Sequence, residues 1–251
     1  MSLFPIRVKS KYRPPQTQAT VTQPCFGTCE DDLSYVFKFD TPQFPMVRAT
    51  EYVCSSIANA VGLPVPHWRI AEDLDGTHVF ASQVFGDKSN TARTVQDLLN
   101  FLSKGIPNPE MLSQISRIYA FDLFIANDDR HINNLIFRDH DGEKVVLAID
   151  FSHSLFGKWP LERNLPGPSS NTVKVGRMIR SHWGFNVIEA KECLERIRGI
   201  PLTSISAILS EMPSGWLPQK EQNDLLQWWG SLERDKWLNR LVKGHNDATV
   251  L

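Results

Sequence analysis

A polar segment near the middle of the chain contains the residue types that phosphoryl transfer requires. It reads Asn-Asp-Asp-Arg-His-Ile-Asn-Asn from Asn127 to Asn134, and Asp150 follows 16 residues later. Transfer from ATP needs a carboxylate at the acceptor hydroxyl and oxygen ligands for the Mg²⁺ that neutralises the phosphates. Asp129, Asn134 and Asp150 can supply these groups.

The elements that flank this segment are predicted to bring the three side chains together. Asn108, Pro109 and Glu110 form a helix start, and the run from Met111 to Ala126 is a helix that becomes almost wholly apolar and therefore buried. After the polar segment, the apolar runs 135–137 and 145–149 predict a β-hairpin with a turn at 141–142.

The predicted hairpin brings the two candidate metal ligands, Asn134 and Asp150, close together. Asn134 precedes its first strand and Asp150 follows its second, so both lie at the same open end. Because paired strands lie ~5 Å apart, the amide and the carboxylate can converge on one cation that prefers oxygen ligands. The alternative is a polar loop with solvated acids, and it is the interpretation favoured for Asp128, Asp139 and Asp141.

An alternating segment upstream offers a cation for the phosphates. From Ser34 to Asp40, three aromatic side chains lie on one face, and Val36 and Lys38 lie on the other. Val36 can pack on a nucleotide base while Lys38 reaches the phosphates. A half-exposed strand with one solvated lysine is the alternative.

A helix follows that strand and carries a candidate partner for the lysine. The run from Met46 to Val61 has a helical apolar stripe and stops at Gly62. Glu51 lies within it, and a buried lysine near phosphates needs an anionic partner. Most helix glutamates are simply solvated, so the order of strand, lysine, helix and glutamate is what favours Glu51.

Further patterns describe the rest of the chain. Residues 94–103 predict a helix, a boundary between two lobes is expected near Gly86, and apolar patterns at 187–197, 202–209 and 219–242 predict a helical tail rich in tryptophan.

The ordered motifs resemble those of the HipA-like kinases over about residues 22–157. The set comprises Lys38 in its strand, Glu51 before a Gly-Leu-Pro-Val-Pro phrase, the Asp-Arg-His-x-x-Asn motif at 129–134 and Asp150-Phe151. The last two motifs also resemble phosphoinositide kinases. The resemblance implies an α+β, bilobal protein-kinase-like fold with a β-rich N-lobe (1–86) and a mainly helical C-lobe (87–251).

The resemblance also implies roles for individual residues. Asp129 is the catalytic acid, with Arg130 and His131 holding the loop or the transferring phosphate. Asn134 and Asp150 are the magnesium ligands, Lys38 is the phosphate contact, and Glu51 is the partner of Lys38. The phosphate loop is expected at 24–29, where Gly27 and Thr28 stand, although it contains a single glycine, and no glycine follows Phe151.

Composition limits the possible partners. The 251 residues are 41% hydrophobic and 22% charged with a formal net charge of −1, which describes a globular protein with no general attraction to nucleic acid. No stretch predicts a membrane helix or a signal peptide, so a cytoplasmic protein is expected. Four cysteines are interpreted as reduced thiols, and their spacing does not favour a zinc site.

The first sixteen residues are basic, with no acid among them. Residues 1–18 are expected to form a flexible arm, and docking to an acidic partner is the alternative.

These features predict a kinase that uses ATP and Mg²⁺ to phosphorylate a serine or threonine of a partner protein or of itself. Thr22, Thr28 and Ser34 are candidate self-modification sites. A lipid or small-molecule kinase is one alternative, although an inositol phosphate would demand more basic residues after Asp150. A nucleotide-binding regulator without catalysis is the other.

Overall fold

The computed structural model describes residues 5–13, 25–84, 108–140 and 143–246, apart from the side chains at 138–140, 143 and 144. Several expectations lie outside the described residues: the helix at 94–103, the boundary near Gly86, the turn at 141–142, Thr22 and the side chain of Asp139. Within the described residues the fold is α+β, with seven α-helices and two sheets.

The first sheet is a closed barrel of five strands. Its strands are β1 (Ile6–Tyr12), β2 (Cys25–Cys29), β3 (Ser34–Lys38), β4 (Trp68–Glu72) and β5 (His78–Gln83). The order is β1-β2-β3-β5-β4, and β1 closes the barrel by pairing antiparallel to β2 and parallel to β4. Because side chains alternate between strand faces, every second residue points inward. The interior is formed by Ile6, Val8, Cys25, Cys29, Tyr35, Phe37, Ala71, Val79 and Ala81.

The expectation of a flexible basic arm is wrong for residues 6–12, which form β1. Ile6 and Val8 alternate with the basic residues and enter the barrel interior, and this burial holds the strand in place. Lys9 lies 2.6 Å from Asp32, and Lys11 also pairs with a carboxylate of the barrel. These two lysines therefore already face carboxylates of the same chain, which weakens the alternative of docking to an acidic partner.

Helix α1 (Val47–Ala60) packs between the barrel and the C-terminal part of the chain, and ten of its 14 residues are buried. Tyr52 contacts Trp68 of β4 with ring centroids 4.9 Å apart, and Trp216 at 6.1 Å. One turn earlier, the guanidinium of Arg48 lies 5.4 Å from the same Trp216 ring. The helix is thus held from the barrel side and from the C-terminal side.

Helix α2 (Pro109–Phe124) begins as the sequence predicts. The side chain of Asn108 accepts hydrogen bonds from the backbone of Glu110 at 3.0 Å and Met111 at 3.1 Å, and Pro109 occupies the first turn. The helix ends in the core, and the chain then turns at Ala126, where φ is 54°. A hairpin of β6 (Leu135–His140) and β7 (Glu143–Ala148) follows, as expected.

Five helices complete the described chain: α3 (Asn171–Trp183), α4 (Val187–Arg198), α5 (Leu202–Glu211), α6 (Gln219–Trp229) and α7 (Leu232–Asn246). The single pattern over 219–242 corresponds to two helices, because α6 ends at Gly230. The apolar patterns did not indicate α3. Gly176 in its centre lowers helix propensity, but a Cβ there would lie 2.4 Å from the Tyr119 ring, so close packing against α2 requires glycine.

None of the described helices has the length and apolar character that crossing a membrane requires.

Candidate active site

The polar segment after α2 is shaped by hydrogen bonds to the end of that helix. Asn127 is buried, and its amide donates to Asp122 at 2.8 Å. Its side-chain oxygen accepts from the backbone N–H of Asp129 at 3.1 Å, which makes a local turn. This turn presents Asp129 half-exposed beyond the buried helix end.

Arg130 is buried and stabilises the same loop through hydrogen bonds. Its guanidinium donates to both carboxylate oxygens of Asp122, at 2.8 and 2.9 Å, and to the carbonyls of Asn134, at 2.8 Å, and Ile149. It also lies 5.1 Å from the Phe151 ring. The sequence left open whether Arg130 holds the loop or a phosphate, and these buried contacts assign it to the loop.

His131 has a less specific position. It is half-buried at the start of a 3₁₀ turn, Ile132–Asn134, and its carbonyl accepts from the backbone N–H of Asn134 at 2.9 Å.

The open end of the hairpin brings Asn134 and Asp150 to adjacent positions. Leu135 pairs with Ala148, and the backbone N–H of Ile149 donates to the carbonyl of Asn134 at 3.1 Å. The Asn134 amide nitrogen donates to the carbonyl of Asp129 at 3.1 Å, which leaves the side-chain oxygen as the group available to a cation.

Lys38 lies between two carboxylates from distant parts of the chain. Its ammonium is 3.0 Å from Glu51 of α1 and 2.8 Å from Asp150. The exposed fractions of the three side chains are 15% for Lys38, 3% for Glu51 and 33% for Asp150. The structure therefore brings together the lysine, the glutamate and the aspartate that the sequence motifs singled out.

The Lys38 ammonium and the Asp150 carboxylate each stabilise the charged form of the other. Burial alone would lower the pKa of Lys38, but Asp150 and Glu51 raise it above its usual value. Burial would raise the pKa of Asp150, but the Lys38 ammonium holds it well below its usual value. Burial raises the pKa of Glu51 despite the same ammonium. Asp150 is thus an anion at neutral pH, as a metal ligand must be.

Ser152 links the two carboxylates of the cluster. Its hydroxyl lies 2.8 Å from Glu51 and 2.7 Å from the Oδ1 atom of Asp150, and it accepts from Lys38 at 3.2 Å. The backbone N–H of Phe151 donates to Glu51 at 3.1 Å. Asp150 itself has φ at 61°, a conformation that is rare without glycine and is held here by these contacts.

The structure does not place Gly27 and Thr28 with this cluster. The expected phosphate loop at 24–29 is wrong for residues 25–29, which form strand β2, and Pro24 lies outside the described residues. Gly27 pairs with Tyr35 inside the barrel, where a Cβ would lie 2.0 Å from the carbonyl of Ser10. Thr28 pairs with Ser34, at the opposite end of β3 from Lys38. Four residues of a strand span roughly 13 Å.

Val36 does lie on the strand face that carries Lys38. It is half-buried and pairs with Phe26 of β2, and Phe26 in turn stacks on Tyr12 of β1 with centroids 5.9 Å apart. An apolar surface therefore continues from the lysine across three strands.

Several contacts of the site come from residues that the motifs did not include. Asp122 was the only one with a sequence signal, as a lone carboxylate in the apolar half of α2. The amide of Asn171 donates to Asp129 at 2.7 Å. Lys158 pairs with Asp128, so that acid is not simply solvated as the sequence favoured. Thr172 hydrogen-bonds to the backbone of the same loop at Asn127 and Arg130.

The donors for a metal are few within the described residues. No group of three or more His, Cys, Asp or Glu side chains lies close enough there to hold an ion. Asn134 and Asp150 fit a hard cation such as Mg²⁺, which binds through one or two protein oxygens and takes its other ligands from substrate phosphates and water.

Comparisons with known proteins identify a family. The model of one protein family, described as HipA-like kinase, matches residues 14–243. The chain is similar to the proinflammatory kinase CtkA of Helicobacter pylori at 15% identity and a TM-score of 0.57, covering 98% of this chain and 99% of that one. At that identity the likeness concerns the fold.

A second solved structure is less similar. HipA of Shewanella oneidensis MR-1, in a complex with HipB and operator DNA, is 12% identical with a TM-score of 0.49, covering 83% of this chain and 58% of that one. The comparison with curated proteins gives no match.

Proposed function

The chain belongs to the HipA-like kinase family, and on that premise we propose that it transfers the γ-phosphoryl group of ATP to a serine or threonine hydroxyl. The observation that carries the proposal is the Lys38 ammonium, 3.0 Å from Glu51 and 2.8 Å from Asp150. This cluster joins the barrel, helix α1 and the end of the hairpin. A cation and a metal-binding carboxylate fixed side by side are what a nucleotide triphosphate requires.

The nucleotide would bind between two lobes, 1–86 and 87–251. Val36, on the same strand face as Lys38, would pack on the base while Lys38 contacts the phosphates. Glu51 keeps the ammonium in position from α1. The barrel would thus supply the base and phosphate contacts, and the hairpin end would supply the metal ligands.

Each polar group at the hairpin end has a separate task in the proposed reaction. Asn134 and Asp150 would hold Mg²⁺, which supplies neutralisation of the phosphate charge when bound. Asp129 would accept the proton that the acceptor hydroxyl loses as the hydroxyl oxygen bonds to the γ-phosphorus, and the bond from that phosphorus to the bridging oxygen breaks to release ADP. Arg130 takes no part in this transfer because its donors are used by Asp122 and by backbone carbonyls.

A protein acceptor is favoured over an inositol phosphate. Residues 152–172 contain two basic side chains, Lys158 and Arg163, and Lys158 is paired with Asp128. A second anionic substrate would therefore find little free positive charge there. Self-modification at Thr28 or Ser34 has weak support, because both lie in paired barrel strands away from Lys38.

A nucleotide-binding regulator without catalysis is the second candidate. It is favoured by one observation, that Gly27 and Thr28 lie in a barrel strand instead of a phosphate-binding loop. Fewer backbone N–H groups at the phosphates would weaken transfer more than binding. A lipid or small-molecule kinase stays compatible with the same fold, since the fold does not determine the acceptor.

Phosphate incorporation from labelled ATP tests the proposal directly. The purified chain would be incubated with Mg²⁺ and labelled ATP, alone and with host lysate, beside Asp129→Ala, Asp150→Ala and the surface control Asp224→Ala. We expect label with the unmodified chain and the control, and none with the two site variants. Incorporation that survives in either site variant would overturn the assignment. Stabilisation by MgATP in a thermal shift without any label would favour the regulator.

A further inference from the structure

We propose that Asn171 is a positioning residue for Asp129, an inference that rests on the proposed kinase function. The amide nitrogen of Asn171 donates a hydrogen bond of 2.7 Å to one carboxylate oxygen, Oδ1, of Asp129. The two residues are 42 positions apart in the chain. The contact therefore depends on the tertiary fold, which places the first turn of α3 over the catalytic loop.

The start of α3 is fixed on the loop by its backbone and by its next residue. The backbone N–H of Asn171 donates to the carbonyl of Asp128 at 3.0 Å. The buried hydroxyl of Thr172 donates to the carbonyl of Asn127 at 2.6 Å and accepts from the backbone N–H of Arg130 at 3.0 Å. Since these bonds surround Asp129 on both sides, the amide of Asn171 is held at a defined place.

The helix does not need the Asn171 side chain for its own stability. Its N-terminal cap is Ser170, whose hydroxyl accepts from the backbone of Val173 at 3.2 Å. Asn171 is exposed, so truncating its side chain creates no cavity. The side chain is free to serve the carboxylate.

The Asp129 carboxylate needs a hydrogen-bond donor to fix its orientation. Asp129 is half-exposed, and its side chain can rotate unless a donor fixes it. The amide of Asn134 is directed to the Asp129 backbone carbonyl and not to its carboxylate. A neutral amide on Oδ1 orients the group without cancelling its charge, and it leaves Oδ2 to face the acceptor hydroxyl.

Three substitutions separate this role from a structural one. Asn171→Ala removes the donor and should lower the kcat of phosphate transfer from labelled ATP about tenfold or more. The KM for ATP and the affinity for MgATP should stay unchanged. Asn171→Asp has the same size but lacks the donor and adds a negative charge beside Asp129, so the loss should be larger. Asn171→Gln keeps an amide donor and should recover part of kcat.

A matched control is available in the same part of the chain. Asn164 is also exposed, and its amide donates to the carbonyls of Lys158 at 2.9 Å and Pro160 at 3.0 Å, without a contact to Asp129. Asn164→Ala should therefore leave kcat within about twofold of the unmodified chain, since exposed sites of this kind usually tolerate substitution.

The outcomes distinguish the inference from the function on which it rests. Turnover by the unmodified chain with equal kcat in Asn171→Ala would overturn the role of Asn171 and leave the kinase proposal intact. A parallel change of kcat, KM and melting temperature would also overturn it, because it would indicate misfolding. Absence of turnover by the unmodified chain while MgATP binds would overturn the kinase proposal, and the inference with it.

Discussion

Arg130 and Asp122 form a doubly hydrogen-bonded ion pair, at 2.8 and 2.9 Å, with side chains exposed by no more than 3%. The carboxylate comes from α2 and the guanidinium from the loop at 127–134 that follows it. Through the carbonyls of Asn134 and Ile149, the same guanidinium reaches both strands of the hairpin. One buried pair thus determines how the loop sits on the helix and where Asn134 and Asp150, the proposed metal ligands, lie.

Removal of one member of this pair should be costly. Asp122→Ala leaves a buried guanidinium without its counter-charge, and we expect the free energy of unfolding to fall by about 3–5 kcal/mol in urea denaturation. Glu192→Ala, which breaks an exposed pair with Arg196, should change it little. Equal effects in the two variants would contradict the structural role given to Arg130.

Loss of the Lys38 charge should strongly reduce phosphate transfer. Lys38→Met leaves Glu51 and Asp150 without the ammonium between them, and we expect turnover to fall at least about 100-fold. Glu51→Gln keeps a polar partner and should lose less. Turnover with labelled ATP is the measurement, and Lys220→Met, at an exposed ion pair on α6, is the control. Full activity of Lys38→Met would refute the phosphate contact.

Ser152 should affect the requirement for Mg²⁺. Its hydroxyl lies 2.7 Å from Oδ1 of Asp150, so Ser152→Ala removes one of the contacts that orient the carboxylate while that of Lys38 stays, and the Mg²⁺ concentration for half-maximal turnover should rise about tenfold. Calorimetric binding of MgATP should weaken in the same proportion. Ser152→Thr keeps the hydroxyl and should resemble the unmodified chain, as should Ser181→Ala on the surface. An unchanged Mg²⁺ requirement in Ser152→Ala would argue against this link.

His245 should make folding sensitive to acid. It is 1% exposed, its ring stacks on Phe185 at 5.5 Å, and within the described residues neither ring nitrogen makes a hydrogen bond. Burial lowers its pKa from 6.5 to about 4. The unfolded chain therefore binds more protons between these values, so the stability is full above about pH 6.5 and declines as the pH falls toward about 4, by about 3 kcal/mol in all.

The measurement is urea denaturation at pH 7.5 and pH 4.5. Between these two pH values, His245→Phe should lose less of its free energy of unfolding than the unmodified chain. The same substitution at the exposed His182 should leave the loss as large as in the unmodified chain. If His245→Phe shows the full decline, other groups cause it.

Local signals in the sequence predicted the elements that depend on neighbouring residues. The cap at Asn108 with Pro109 defined the start of α2, and the apolar runs at 135–137 and 145–149 defined the hairpin and hence the positions of Asn134 and Asp150. Lys38 and Glu51 were paired correctly because strand, lysine, helix and glutamate follow one another in the order of the kinase motifs, and the structure places the two side chains 3.0 Å apart. Their roles in binding ATP stay predictions.

Contacts between distant segments were not predictable in the same way. The strand β1 needs its pairing with β4 to be stable, and nothing near Ile6 in the sequence signals that partner. Gly27 was interpreted as loop glycine because the strand on its other side, which leaves no room for a Cβ, is invisible locally. Asn171 reaches Asp129 only through the placement of a helix that the apolar pattern did not reveal.

The position of Trp216 late in the chain affects when the protein can become active during synthesis. Its ring supports α1 through Arg48 and Tyr52, one turn before and one residue after Glu51. On the ribosome, every residue proposed for catalysis emerges before residue 216. A nascent chain that has already exposed Lys38 and Glu51 thus lacks the support that orients Glu51, and we expect the proposed kinase to stay inactive until residue 216 has left the ribosome.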